Sequence, residues 1–141
     1  MLEIRSKLKE PAEARGQLAL PFDLRQKTRL RTRLVSGEEV ALLLPRGEVL
    51  RGGDFLAASD GRVVEVISQP EKVLHIEAAD LVRVAYHLGN RHVSVQIGVG
   101  FLRIAEDHVL EELVLKLGAR VTHLEAPFEP EAGAYHDHGH E

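Results

Sequence analysis

The chain has 141 residues, 44% of them hydrophobic and 28% charged, with a formal net charge of -4; that suits one ordinary globular domain or two small ones and is too short for a large α/β barrel. The acidic balance argues against a general polyanion-binding surface, so no nucleic-acid partner is expected. The absence of cysteine removes disulfide frameworks, cysteine-based zinc fingers and thiol nucleophiles, and fits a reducing compartment.

The opening MLEIRSKLKE mixes acids and bases and holds no apolar segment of secretory length, so no signal peptide is expected. From Arg29 to Ser68 the chain reads as short strands: Leu30, Thr32 and Leu34 alternate with Arg29, Arg31 and Arg33, and Glu39 to Leu44 and Arg62 to Ile67 follow. The longest aliphatic run, Val40 to Leu44, is far below the roughly 20 residues of a membrane helix, so a cytoplasmic protein with no membrane partner is expected. Turn-forming Ser36-Gly37, Pro45-Arg46-Gly47, Gly52-Gly53-Asp54 and Asp60-Gly61 punctuate the strands. Of these, Gly52-Gly53-Asp54 reads as a hairpin turn rather than a phosphate loop. The expectation is a small all-β unit over 1–72, closed by the polar linker Gln69-Pro70-Glu71-Lys72, whose proline cannot donate to a ladder.

Beyond it the rhythm changes. Val73 to Ala78 reads as a strand, then Asp80 offers an N-cap to a helix with Leu81, Val84, Ala85 and Leu88 on one face and Gly89 at its end. Val93, Val95 and Ile97 alternate as a strand, Gly98 to Gly100 turn, and Phe101 to Ile104 return. Asp107 caps a second helix with Leu110, Leu113, Val114 and Leu117 on its apolar stripe, Gly118 sits where a left-handed residue is needed, and Arg120 to Leu124 is the last strand. The fold class is therefore α+β: a small all-β amino-terminal domain, then a ferredoxin-like βαββαβ domain over 73–130. Residues 131–141, lacking apolar periodicity, form an expected flexible histidine-containing tail.

Charge divides at the same place. From Val73 onward there are five bases against eleven acids, and before it thirteen against eleven, so the second half attracts cations. The tail carries His136, His138 and His140 interleaved with Asp137 and ending in Glu141, nitrogen and oxygen ligands suited to borderline divalent metals such as Ni(II), Zn(II) or Cu(II). Between the first helix and the next strand lie His87 and His92. One imidazole cannot fill a coordination sphere, but a two-fold axis would bring the same residue from each of two chains together. Spacing alone favours His92 as an ordinary hydrogen-bonded residue at a strand start, and gives His87 a helix-dipole role. His108, with Glu106 and Asp107, could form a peripheral cation site or simply a polar helix start. His75 and His123 read as structural. No Ser-His-Asp order, phosphate-cradling loop or HExxH pattern is present, and no catalytic residue is assigned.

The run AYHLGNRHVSVQI, followed by LRIAEDHVLEEL and then APFEPEAGAYHDHGHE, resembles the urease accessory protein E (UreE) family of nickel metallochaperones; KTRLRTRL and LLLPRGEVLRGGDFL resemble its first domain. The resemblance implies a β-rich peptide-binding amino-terminal domain, a ferredoxin-like metal-binding domain and a homodimer formed through the latter. It makes His92 the interface histidine at which two copies share one nickel, and the tail histidines His136, His138 and His140 additional ligands. His108 matches a peripheral ligand of some members, whose companion histidine two residues earlier is Glu106 here. The cargo implied is Ni(II), with Zn(II) or Cu(II) able to substitute. The partners implied are the urease apoprotein and its accessory complex, including a GTP-hydrolysing protein.

A binding protein without turnover is thus the leading expectation. A peptide-binding adaptor with incidental metal binding is the alternative. A metal-dependent hydrolase using Glu106 and His108 is disfavoured, because no complete ligand set with an acid-base partner can be named. An RNA-binding module lacks its aromatic stacking signature and its charge.

Overall fold

The computed structural model describes residues 1–132; the expected tail from residue 133, with His136, His138 and His140, lies outside the described residues. The chain separates into two compact units, one built from Met1–Gln69 and one beginning at Pro70. Both combine sheet with few helices, an α+β composition.

The first unit holds β1 (Leu2–Lys7), β2 (Gly16–Leu20), the single-turn helix α1 (Phe22–Arg25), β3 (Arg29–Arg33), β4 (Glu39–Leu43), β5 (Phe55–Ala58) and β6 (Val63–Ser68). The strands run in the order β2-β6-β5-β1-β4-β3. Period-two alternation turns Leu2 and Ile4, Leu18 and Leu20, Val40, Leu42 and Leu44, and Val64 and Val66 into one buried cluster. Strands β1 and β2 escape the sequence reading because each shows only two inward residues and each is held by a distant parallel partner, β1 by β4 and β2 by β6. Two corrections follow. Since β1 lies between β4 and β5, Gly52-Gly53-Asp54 is a crossing connection rather than a hairpin turn, with Gly53 at φ 91° and Asp54 accepting the Arg51 N–H at 2.7 Å. The unit is also not purely β. In α1 the fully buried Arg25 donates to the carbonyls of Leu20 and Leu50, both at 3.0 Å, while its guanidinium lies 5.5 Å from the Phe22 ring centre.

The second unit runs β7 (Glu71–Glu77), α2 (Leu81–Gly89), β8 (Gln96–Gly98), β9 (Phe101–Ala105), α3 (His108–Lys116) and β10 (Arg120–Ala126). Its antiparallel sheet has the order β10-β7-β9-β8. Strand β7 already starts at Glu71, inside the segment expected to be linker, because Glu71 and Lys72 pair with Ala126 and Glu125 at the far end of β10. Both helices begin at the expected caps: Asp80 accepts the Arg83 N–H at 3.1 Å and Asp107 the Leu110 N–H at 3.0 Å. Val84, Leu88 and Val114 carry the helices onto Leu74, Ile76, Leu102 and Ile104 of the sheet. The strand expected from Val93 shrinks to Gln96–Gly98. Val93 and Val95 still pack against the core, but from irregular chain, so alternating apolar residues there mark packing rather than a ladder.

Candidate metal centre

Helix α2 ends in a turn that presents His92. Asn90 is its C-cap, the Arg91 N–H donates to the Leu88 carbonyl at 3.1 Å, and the His92 N–H donates to the Gly89 carbonyl at 3.0 Å. Continuing that turn places His92 at φ 59°, the left-handed region, and among the described residues it is the single non-glycine there. Glycine is the ordinary occupant of such a position after a helix, since a Cβ costs on the order of 1 kcal/mol. Histidine occupies it here, exposed on the surface. Along the same helix Val82 and Tyr86, one turn apart, stand 81% and 66% exposed, an apolar stripe leading toward the His92 turn. His87, half-buried, packs edge-on against Tyr86 in the last turn.

Open in sequence to a cation site or a polar helix start, the side chains of Glu106, Asp107 and His108 do not come together in the described residues. Glu106, Asp107 and His108 turn to three different partners, because Asp107 is taken by the helix cap while the helix rotates His108 away. His108 Nε2 lies 3.2 Å from Glu112 one turn along, with its side chain 84% exposed. Glu106 instead meets His123 on β10. His123 Nδ1 is 3.1 Å from Glu106 and its Nε2 is 2.9 Å from Glu111 of α3. Two carboxylates can only accept, so both bonds together require a doubly protonated ring. The hydrogen bond to Glu111, then that to Glu106, holds the His123 pKa above the usual histidine range. The sequence reading of His123 as merely structural missed this cluster, and the only signal available was the apposition of β10 with the start of α3. His75 is satisfied within the sheet: its Nδ1 accepts from Arg103 Nε at 3.1 Å, and its ring stacks on Phe101 at 4.7 Å.

After β10 the chain turns back to β8. Phe128 is buried at 2% exposure, the Glu129 N–H donates to Gln96 Oε1 at 3.0 Å, and the Glu131 N–H donates to the Val95 carbonyl at 2.8 Å. This return was not anticipated from the sequence, whose proline-flanked PFEP carries no periodicity. Among the described residues, no three His, Asp or Glu side chains converge on a point that could hold a metal ion. His92 belongs to no such group among the described residues.

The carboxy-terminal domain model of the UreE urease accessory protein matches residues 71–141, and the amino-terminal domain model matches residues 2–69. The chain belongs to the UreE family. It is 50% identical over 143 residues to the urease accessory protein UreE of Nitrosospira multiformis, covering 99% of this chain and 81% of that protein. Against the UreE of Azotobacter vinelandii it is 50% identical over 147 residues, covering 99% of this chain and 89% of that one. The UreE of Ralstonia nicotianae is 53% identical over 131 residues, 89% of this chain but 62% of the longer relative. A UreE chain is a urease accessory protein, concerned with urease maturation, and not itself an enzyme. Among the described residues, no helix is long and apolar enough to cross a membrane.

Proposed function

We propose that this UreE protein carries nickel to apo-urease, binding one Ni(II) between the His92 side chains of two copies. The observation that carries the reading is His92 itself: an exposed imidazole kept at φ 59°, where glycine would relieve the backbone. Strain retained at a surface histidine, in a chain whose described residues complete no metal site, calls for ligands from a second copy. The exposed Val82 and Tyr86 beside that turn supply apolar surface for such a pairing. The βαββαβ order with strand order β10-β7-β9-β8 supports assigning the second unit to the ferredoxin-like class.

His136, His138 and His140 are the further ligands in this proposal. Glu131 is tied to Val95, and Val95 is three residues, at most about 11 Å of extended chain, from His92. Five residues from Glu131 to His136 span up to about 17 Å, so a tail imidazole has the reach to add a ligand at high effective concentration. A site without thiolate also releases its ion more readily. His108, paired with Glu112, is the weakest of the proposed ligands. Zn(II) and Cu(II) are expected to compete for the same donors. The partners proposed are the urease apoprotein and its GTP-hydrolysing accessory protein, met in the cytoplasm.

Equilibrium dialysis against nickel, with sedimentation to count chains, tests the reading. Expected are about one tight ion per two chains, lost in His92→Ala. A His92→Ala protein that binds as tightly as the parent, or a strictly monomeric metal-bound species, would overturn it. Weak binding without dimer stoichiometry would favour the peptide-binding adaptor.

A further inference from the structure

At one edge of the six-stranded sheet lies β3, paired on one side only, with β4. The Leu44 N–H donates to the Thr28 carbonyl at 2.9 Å and the Leu34 N–H to the Glu38 carbonyl at 2.9 Å. In an antiparallel ladder hydrogen-bonded pairs alternate with non-bonded ones, so Thr28, Leu30, Thr32 and Leu34 face β4. The N–H and C=O groups of Arg29, Arg31 and Arg33 consequently point to the open edge. The same three residues alternate outward from the core as side chains, with all three exposed while Leu30 packs inward. Arg33 is engaged, by Glu39 at 2.8 Å and the Gly37 carbonyl at 2.8 Å. Arg29 and Arg31 have no ion pair among the described residues.

Beside them the outer face of the sheet is concave. A cleft of about 500 Å³ runs over Ala41 and Leu43, which sit directly opposite Arg31 and Arg29, and is bounded on its other side by Glu3. Glu3 is already paired with Arg5 at 2.9 Å, so the cleft is cationic, with Arg29, Arg31 and the Met1 amino terminus along it. An unpaired strand edge at Arg29, Arg31 and Arg33 and the cationic side chains of Arg29 and Arg31 rising from the same strand together describe a receptor for one kind of chain. We infer that β3 accepts an extended acidic peptide as an added strand, its backbone pairing with Arg29, Arg31 and Arg33 and its carboxylates meeting Arg29 and Arg31. This rests on reading the amino-terminal unit as a peptide-binding domain, and it supplies the chemistry of the peptide. Arginine also guards sheet edges against random pairing; a guard repels cationic strands, and an acidic strand is the one it leaves able to dock.

The test uses the full chain and fluorescein-labelled octapeptides read by anisotropy: alternating Glu-Val, alternating Lys-Val, and Glu-Val N-methylated at every second residue. Expected is saturable binding of the Glu-Val peptide that weakens with salt and drops by at least about tenfold on N-methylation or in R29E/R31E. Amide exchange at residues 29, 31 and 33 should slow when the peptide is bound, which no purely electrostatic association would produce. Equal binding of the N-methylated peptide, or an undiminished R29E/R31E protein with native circular dichroism, overturns strand addition. If the Lys-Val peptide binds and Glu-Val does not, peptide binding stands and the acidic specificity falls. If no peptide binds, both fall, and the arginines only guard the edge. Tighter binding of a labelled DNA oligonucleotide than of Glu-Val also overturns the proposal.

Discussion

The Glu131 N–H donates to the Val95 carbonyl at 2.8 Å, tying the chain beyond the last strand to the segment that follows His92. With Phe128 buried and the Glu129 N–H bonded to Gln96, the last described residues are fastened to the segment that follows His92. Truncation after Ala134 should therefore weaken binding of the shared ion or remove only additional ions, without abolishing the shared site. Phe128→Ala should cost about 3–5 kcal/mol of stability and weaken the same additional ions, because it loosens the root of the tail. Nickel counted by equilibrium dialysis, beside thermal unfolding, checks both.

His92 sits at φ 59°, so replacing it separates folding from binding. His92→Gly should leave the melting temperature unchanged or higher, by no more than the roughly 1 kcal/mol a left-handed Cβ costs, while tight nickel binding disappears. A melting temperature several degrees lower would mean that the imidazole is there for packing.

Asp107 caps α3 rather than serving as a ligand, since its carboxylate accepts the Leu110 N–H at 3.0 Å. Asp107→Ala should lower stability by about 1 kcal/mol, and Asp107→Ser should recover most of that. Neither should change nickel stoichiometry in calorimetric titration. A loss of bound metal in both would restore the peripheral site that the geometry takes apart.

His123 links β10 to Glu106 and to Glu111 of α3, and its pKa is raised by those two carboxylates, Glu111 first. A histidine whose folded pKa lies above its unfolded value of about 6.5 stabilises the fold fully below that value and loses the contribution as pH rises through the folded pKa. The difference in melting temperature between the parent and His123→Gln should thus be largest at mildly acidic pH and shrink through the neutral range. A difference that grows with pH would show that the ring is not held as a cation.

Helices α2 and α3 were legible because each is announced locally: Asp80 and Asp107 cap them, and apolar residues at helical spacing follow within one short window. Strands β1 and β2 were not, because two inward residues each make no pattern until β4 and β6 arrive beside them. The site divides in the same manner. His92 is expected as a ligand only through the resemblance of AYHLGNRHVSVQI to UreE, whereas its left-handed backbone depends on how α2 terminates.

Which acids serve which histidine was decided only by tertiary structure. Three consecutive residues, Glu106, Asp107 and His108, look like one cluster in sequence, yet a helix start sends their side chains in separate directions, and Glu106 finds His123 seventeen positions away. The sequence by itself determined composition, caps, periodicity and the family motifs, all properties of neighbouring residues. Strand order, the open edge at Arg29, Arg31 and Arg33, and the return of Glu131 to Val95 required the fold, because each depends on pairing between segments that no local pattern connects.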